Sequence, residues 1–263
     1  MKVVGLRVLF GTIRAEKLNP KYGRVAVAMV PERIPSMDRF NDKAGFSEKK
    51  AKKSGRPILL AGSPLGDRCH VCAFFNNREE EFRVLLPFVR DGLERGEKIV
   101  HTIDPEHRSE HLERLVAGGI DVATLLQDGR FELRTWSETH LLDGYFDQHR
   151  TLKLFEGVVK NAKRQGFPRT RFVTHMEWAL KDERQITDLL EYEARANEIW
   201  ESQEGPINPV ICTYDLTKFG GDVVVDVMRT HPMIIIGGIL QENPFYVPPK
   251  KFLEELRARL GSK

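Results

Sequence analysis

The sequence predicts an α/β domain, a mostly parallel sheet with helices on both faces, over residues 57–263, preceded by a basic and largely irregular extension at residues 1–56. Three observations carry this. From Pro57 onward, short apolar runs of strand length alternate with amphipathic stretches of helix length, the pattern of βαβ units. The runs are continuous, as strands covered on both faces should be. Right-handed crossovers then distribute the helices to the two sides of the sheet.

The elements follow in order. Cys69–Phe75 reads as the first strand, and Phe82, Leu85, Leu86, Val89 and Leu93 recur at the spacing of one helix face. Pro87 lacks an amide donor and should kink that helix, and Gly96 ends it. Lys98–Ile103 is a second strand. A helix from about Pro105 to Ala117 stops at Gly118-Gly119, and Arg130–Thr135 is a third strand. Asp147 is placed to cap a helix whose Leu152, Phe155, Val158 and Val159 point inward. Arg171–Met176 is a fourth strand, Ile186 to Trp200 a helix, and Pro209–Tyr214 a fifth strand. Val223 to Met228 lies on a helix, Met233–Ile236 is a sixth strand ended by Gly237-Gly238, and Phe252 to Leu260 closes the domain as a helix.

The extension is set apart by charge. Residues 1–57 hold 14 Lys and Arg against 5 Asp and Glu, leaving 27 basic and 33 acidic residues downstream, so a basic arm precedes an acidic globule. Such a run is ordinarily a solvated arm; a nucleic-acid or membrane-surface contact through it is the sharper alternative. Val3 to Ile13 and Val25 to Val30 each have the length of a short strand. Met1 to Phe10 lacks the apolar core and cleavage site of a signal peptide, and no run of 18 apolar residues exists to span a membrane. Three cysteines, Cys69, Cys72 and Cys212, are too few for a disulfide framework, so a reducing cytoplasm is expected.

In a parallel sheet all strands end at one edge, where such folds bind ligands. There the first strand delivers Phe74, Phe75 and Asn76, the fourth Glu177 and Trp178, and the fifth Tyr214 and Asp215. His70 and Cys72 share the strand face below, and Cys212 is expected beside them. These ten residues are the predicted site for a small, weakly polar ligand; the plainer alternative is that the aromatics cap the core. No G-x-x-x-x-G-K-[ST] occurs, and Glu79 to Glu81 would repel phosphates after the first strand. No G-x-S-x-G occurs either. Cys69 and Cys72 lie three apart on a strand and converge poorly on a metal. His101 and His175 are read as hydrogen-bonded core residues and His231 as a stabilising contact at a strand's amino end. Accordingly no catalytic residue, metal or cofactor is assigned.

Several segments, taken together, resemble one family. His70-Val-Cys-Ala-Phe-Phe75, Gly166-Phe-Pro168 with Arg171, His175-Met-Glu-Trp-Ala179, Glu191-Tyr-Glu-Ala-Arg195 with Asn197, Ile211-Cys-Thr-Tyr-Asp-Leu216, and Arg229-Thr-His-Pro-Met233 with Gly237-Gly238 look like the MEDS domain. That sensory domain is named for methanogens, methylotrophs and the regulator DcmR. The resemblance covers roughly Arg56 to the end. It implies a RecA/KaiC-like three-layer sandwich without its phosphate loop, and a cytoplasmic signal-transduction module that senses simple hydrocarbon derivatives. With no kinase, helix-turn-helix or receiver segment in the sequence, the signal is expected to pass to a partner such as a histidine kinase or transcription regulator, with self-association as a further option. A degenerate nucleotidase or hydrolase using Glu177 and Asp215, and a pure protein-interaction module, are the alternatives. Nucleic acid is expected only through the basic arm, and a membrane not at all.

Overall fold

Alternation along each strand decides which helices lie on which side. The computed structural model describes residues 56–182, 184–202 and 205–261, all within one unit of the chain, Ser54–Lys263. The expectations for residues 1–55 fall outside the described residues. The elements are β1 (Ile58–Leu60), β2 (Ser63–Leu65), β3 (His70–Phe75), α1 (Arg78–Glu94), β4 (Lys98–Ile103), α2 (Arg108–Ala117), α3 (Val122–Gln127) and β5 (Phe131–Thr135). They continue with α4 (Gln148–Arg164), β6 (Thr170–His175), α5 (Arg184–Ser202), β7 (Val210–Asp215), α6 (Gly221–Thr230), β8 (Met233–Ile236), β9 (Ile239–Glu242) and α7 (Pro249–Gly261). Seven strands form one sheet in the order β5-β4-β6-β7-β3-β8-β9, parallel throughout except for β9.

Cys72 and Phe74 of β3, Phe172 of β6, Cys212 and Tyr214 of β7 and Ile234 of β8 pack with apolar residues of α4, α5, α6 and α7. Their neighbours Val71, Ala73, Phe75, Val173, Ile211 and Ile235 pack on the opposite side with α1. Ile99 and Ile103 of β4 join α2 and α3 on that second side. The result is the three-layer α/β sandwich expected from the apolar runs. No helix among the described residues is long and apolar enough to cross a membrane.

Some elements were not legible. β1 and β2 form a hairpin around Ala61 and Gly62, both at positive φ (49° and 77°). Gly237 and Gly238 (φ 57° and 74°) end β8 as expected, and they turn the chain into antiparallel β9, which the sequence did not show. Two successive left-handed residues are what a two-residue hairpin demands. Residues 122–127, too short to show periodicity, form α3, with the Asp121 side chain accepting from the Thr124 amide. Asp147 caps α4 as expected, its carboxylate accepting from the Arg150 amide.

The buried stripe of α1 is Glu81, Val84, Leu85, Phe88, Val89 and Gly92, turned by about one residue from the predicted face. The cause is that α1 meets two surfaces: Phe82, Leu86 and Leu93 lean toward α2 and α3. Pro87 lies inside α1, which continues through it as one helix.

Beneath α1 lies a fully buried cation. Arg171 donates from Nε to Glu97 Oε2 (2.5 Å), from Nη2 to Asp91 Oδ2 (2.7 Å) and from Nη1 to the Phe88 carbonyl (2.6 Å). Gly92 makes room for it: a Cβ there would lie 2.8 Å from Arg171 Cδ and Nε.

Candidate functional site

Besides the Arg171 ion-pair cluster, two further polar clusters interrupt the apolar layers, and Tyr214 touches both. The first is a cleft at the carboxyl edge. The turn between β3 and α1 is Asn76-Asn77; the Asn77 side chain accepts from the Glu80 amide, and Glu80 in turn accepts from the Asn76 amide (2.8 Å) and side chain (2.9 Å). Those amide contacts hold the Glu80 carboxyl below its ordinary range. One turn on, Arg78 donates to Glu81 Oε2 (2.8 Å), and His175 Nε2 donates to Glu81 Oε1 (2.7 Å). Burial alone would raise the Glu81 carboxyl, but His175 and Arg78 hold it well below the usual range.

Phe75, Asn77, Arg78, Glu81, Glu177, Thr213, Tyr214 and Asp215 line the cleft, whose free volume is about 10 Å³, room for about one water. Arg78 Nη2 stands 3.7 Å from Glu177 Oε1, and both Arg78 Nη2 and Glu177 Oε2 are buried without a hydrogen-bond partner among the described residues. A donor and an acceptor left open in one narrow cleft define the chemistry it can meet: a group that accepts from a guanidinium and donates to a carboxylate, of about the size of a water unless the cleft widens. Asp215 is partly committed, since its Oδ1 accepts from the Thr217 amide and hydroxyl.

The second cluster lies between the sheet and α5. Antiparallel to the strands, α5 carries Glu193 and Asn197 one turn apart over β3 and β7. Parallel pairing sets Cys72 beside Cys212 and Phe74 beside Tyr214. Glu193 Oε2 lies 3.1 Å from His70 Nε2, 3.4 Å from His231 Nε2 and 3.7 Å from Cys212 Sγ, while Cys212 Sγ is 3.4 Å from His70 Nε2. Tyr214 donates its hydroxyl to Glu193 Oε1 (2.5 Å). His70, Glu193, Cys212 and His231 are between 0% and 3% exposed. Burial would raise the Glu193 carboxyl, but His231 and His70 hold it well below its ordinary range. Burial, and secondarily His231, lowers His70. Burial and the Glu193 charge push the Cys212 thiol up.

Because the Glu193 carboxylate is fully buried, each of its partners matters. Tyr214→Phe removes the donor to Oε1 and leaves a charged oxygen without it. The expected cost is about 1–3 kcal/mol in urea unfolding; a loss within about 0.3 kcal/mol would mean that the tyrosine hydroxyl contributes nothing to the cluster.

The predicted site residues thus divide. Phe75, Glu177, Tyr214 and Asp215 line the cleft, with Asn76 in the turn at its rim. His70, Cys72, Phe74, Cys212 and Tyr214 face the α5 side, Phe74 packing against Tyr214 with ring centroids 5.5 Å apart. Trp178 is fully buried in an aromatic stack with Phe146 (4.3 Å) and His140 (5.0 Å) and does not line the cleft. Arg78, Glu81, Glu193, Asn197 and His231 were not singled out as site residues. Glu81 and Glu193 each had a signal: an acid on the apolar stripe of a helix, Glu193 standing four residues from inward-facing Leu189. A roomier hollow of about 460 Å³ at the amino edge, among Val159, Phe167, Ile199 and Pro206, gathers no comparable set of buried polar groups.

A family model described as the MEthanogen/methylotroph, DcmR Sensory domain (MEDS) matches residues 69–232, more than half of the chain. The transcriptional repressor DcmR of Methylorubrum extorquens is 22% identical over 200 residues, which cover 74% of this chain and 70% of that protein.

Proposed function

This chain belongs to the MEDS sensory-domain family, and from that premise we propose that it is a non-catalytic sensory module for a small, weakly polar molecule, such as a simple hydrocarbon derivative, bound in the carboxyl-edge cleft. The observation that carries the reading is the pair in that cleft, Arg78 Nη2 and Glu177 Oε2, each buried without a hydrogen-bond partner among the described residues on side chains whose charges lie 3.7 Å apart. A ligand larger than a water, bridging them, would have to part Phe75 and Tyr214 to enter, and Tyr214 is bonded to Glu193 of α5. That supplies a contiguous route by which occupancy shifts α5 relative to the sheet, provided the two positions of the helix differ in ligand affinity. A partner such as a histidine kinase or transcription regulator would read the shift; similarity to a transcriptional repressor supports a regulatory setting.

Titration with one- and two-carbon alcohols, amides and halides, followed by nuclear magnetic resonance shifts of the Tyr214 and Trp178 rings, tests this. At least one compound is expected to give a saturable response that Arg78→Met weakens about tenfold or more, the loss of one charge-assisted bond. Saturable binding unchanged in both Arg78→Met and Glu177→Gln would place the ligand elsewhere, and no response from any compound would overturn the reading.

A further inference from the structure

We propose that His70, His231, Glu193 and Cys212 form a closed four-coordinate site for a divalent transition metal of the zinc type. This site is separate from the carboxyl-edge cleft and does not rest on the ligand reading above.

The argument begins with proton positions. Asn197 donates from Nδ2 to the Glu193 and Thr230 carbonyls, which leaves its Oδ1 facing His70 Nδ1 at 3.1 Å. An amide oxygen only accepts, so His70 carries its proton on Nδ1. His231 Nδ1 stands 3.0 Å from the Val227 carbonyl, which also only accepts, so it too is protonated there. Both Nε2 atoms are therefore bare in the neutral rings, and both point at Glu193 Oε2. Cys212 Sγ is the fourth atom, and all four lie within 4.8 Å of one another. His231 Nε2 has no hydrogen-bond partner among the described residues. With both rings neutral, four lone-pair donors converge in a dry interior with a single thiol proton among them, an arrangement that calls for a cation, whether protons on the imidazoles, as in the metal-free chain where they hold Glu193 low, or a metal ion in their place.

The spacing selects the cation. Zinc binds nitrogen and oxygen at about 2.0–2.1 Å and sulfur at about 2.3 Å, so the edges of its tetrahedron run about 3.3–3.6 Å. Four of the six separations here are 3.1, 3.4, 3.4 and 3.7 Å, and the other two, from His231 Nε2 to His70 Nε2 and to Cys212 Sγ, are at most 4.8 Å, so that side would close on the ion. Three of the four ligands are also held from behind: His70 by Asn197, His231 by Val227, and Glu193 Oε1 by the Tyr214 hydroxyl. Two imidazoles, a carboxylate and a thiolate suit zinc, and four protein ligands leave no open position for a substrate, so the ion would hold α5 against β3 and β7. Loading replaces the Cys212 thiol proton, which leaves to solvent as the sulfur–metal bond forms.

The test uses the full chain, purified without chelator, assayed for metal by mass spectrometry and then exchanged with Co²⁺. One ion per chain is expected. The cobalt form should show thiolate-to-cobalt charge transfer in the near ultraviolet and the intense visible bands of a tetrahedral ion. Cys212→Ser should abolish the charge transfer, Cys72→Ala should keep it, and Glu193→Gln should weaken affinity by at least about 10–100-fold. Should a ligand variant fail to fold, the wild-type stoichiometry and cobalt spectrum decide alone. Folded wild type that takes up well under one ion per chain overturns the proposal, as does a cobalt spectrum indifferent to Cys212→Ser.

Discussion

Arg171→Met is expected to destabilise the domain by about 3–5 kcal/mol, because it removes the fully buried cation at the centre of an ion-pair cluster. Glu97 is only 3% exposed and Asp91 flanks it; Arg169 still reaches Glu97 Oε1 and Arg95 still reaches Asp91, but Glu97 Oε2 loses its donor and Asp91 one of its two close cations. The Phe88 carbonyl loses its Nη1 donor in the same step. Methionine fills much of the volume, so the cost is electrostatic rather than a cavity. Urea unfolding of the two proteins measures it, and a loss below about 1 kcal/mol would show that water enters and solvates the two acids. Replacing Arg171, Glu97 and Asp91 together by apolar residues should recover most of the loss, since a buried ion pair contributes little beyond what good packing provides.

Acidification should be nearly as damaging. Burial, with help from His175, lowers His101 to about 3, and burial alone lowers His140 to about 3. His101 faces His111, His175 and Phe131, with Glu81 close enough to act weakly against the shift. His140 faces Trp178, Phe146, Phe155 and Tyr192, with Glu193 the nearest charge acting on it. An unfolded histidine takes up a proton near its ordinary value of about 6.5. The folded chain refuses both protons, so the stability they contribute is complete above that pH. It is lost as pH falls from about 6.5 toward 3, at about 1.4 kcal/mol per unit for each histidine. Two units of acidification then remove roughly 5 kcal/mol, a large share of a domain's usual 5–15 kcal/mol. Urea midpoints between pH 7 and pH 4.5 read this directly. His140→Phe keeps the aromatic stack and should lower the slope by about 1.4 kcal/mol per unit. A slope that does not change in that variant would remove His140 from the account.

How much of this was written locally explains what could be read. Five of the six parallel strands were legible as short, largely buried runs bounded by glycine, proline or polar turns, and β5 as an alternation of Phe131 and Leu133 with Glu132 and Arg134. Their order was not: β3 lies between β7 and β8, so Val71 pairs with Ile211 and Met233, far along the chain. The same distance hid the two clusters. His70, Cys72 and Cys212 could be grouped from strand alternation, but Glu193 reaches them only because α5 doubles back across the sheet. His231, at the amino end of β8, looked remote from everything until β8 paired with β3. At the carboxyl edge the aromatics were visible in the sequence, whereas the fate of Trp178 depended on His140 and Phe146 arriving from the loop before α4.

The Asn76–Glu80 contact has a consequence for any phosphate that approaches this scaffold. An anion arriving at the start of α1 finds its place already taken by a carboxylate four residues away on the same chain. That internal occupant competes at an effective concentration in the millimolar range or above, and dilution cannot remove it. A weakly attracted nucleotide would meet a lock whose key is tethered inside it.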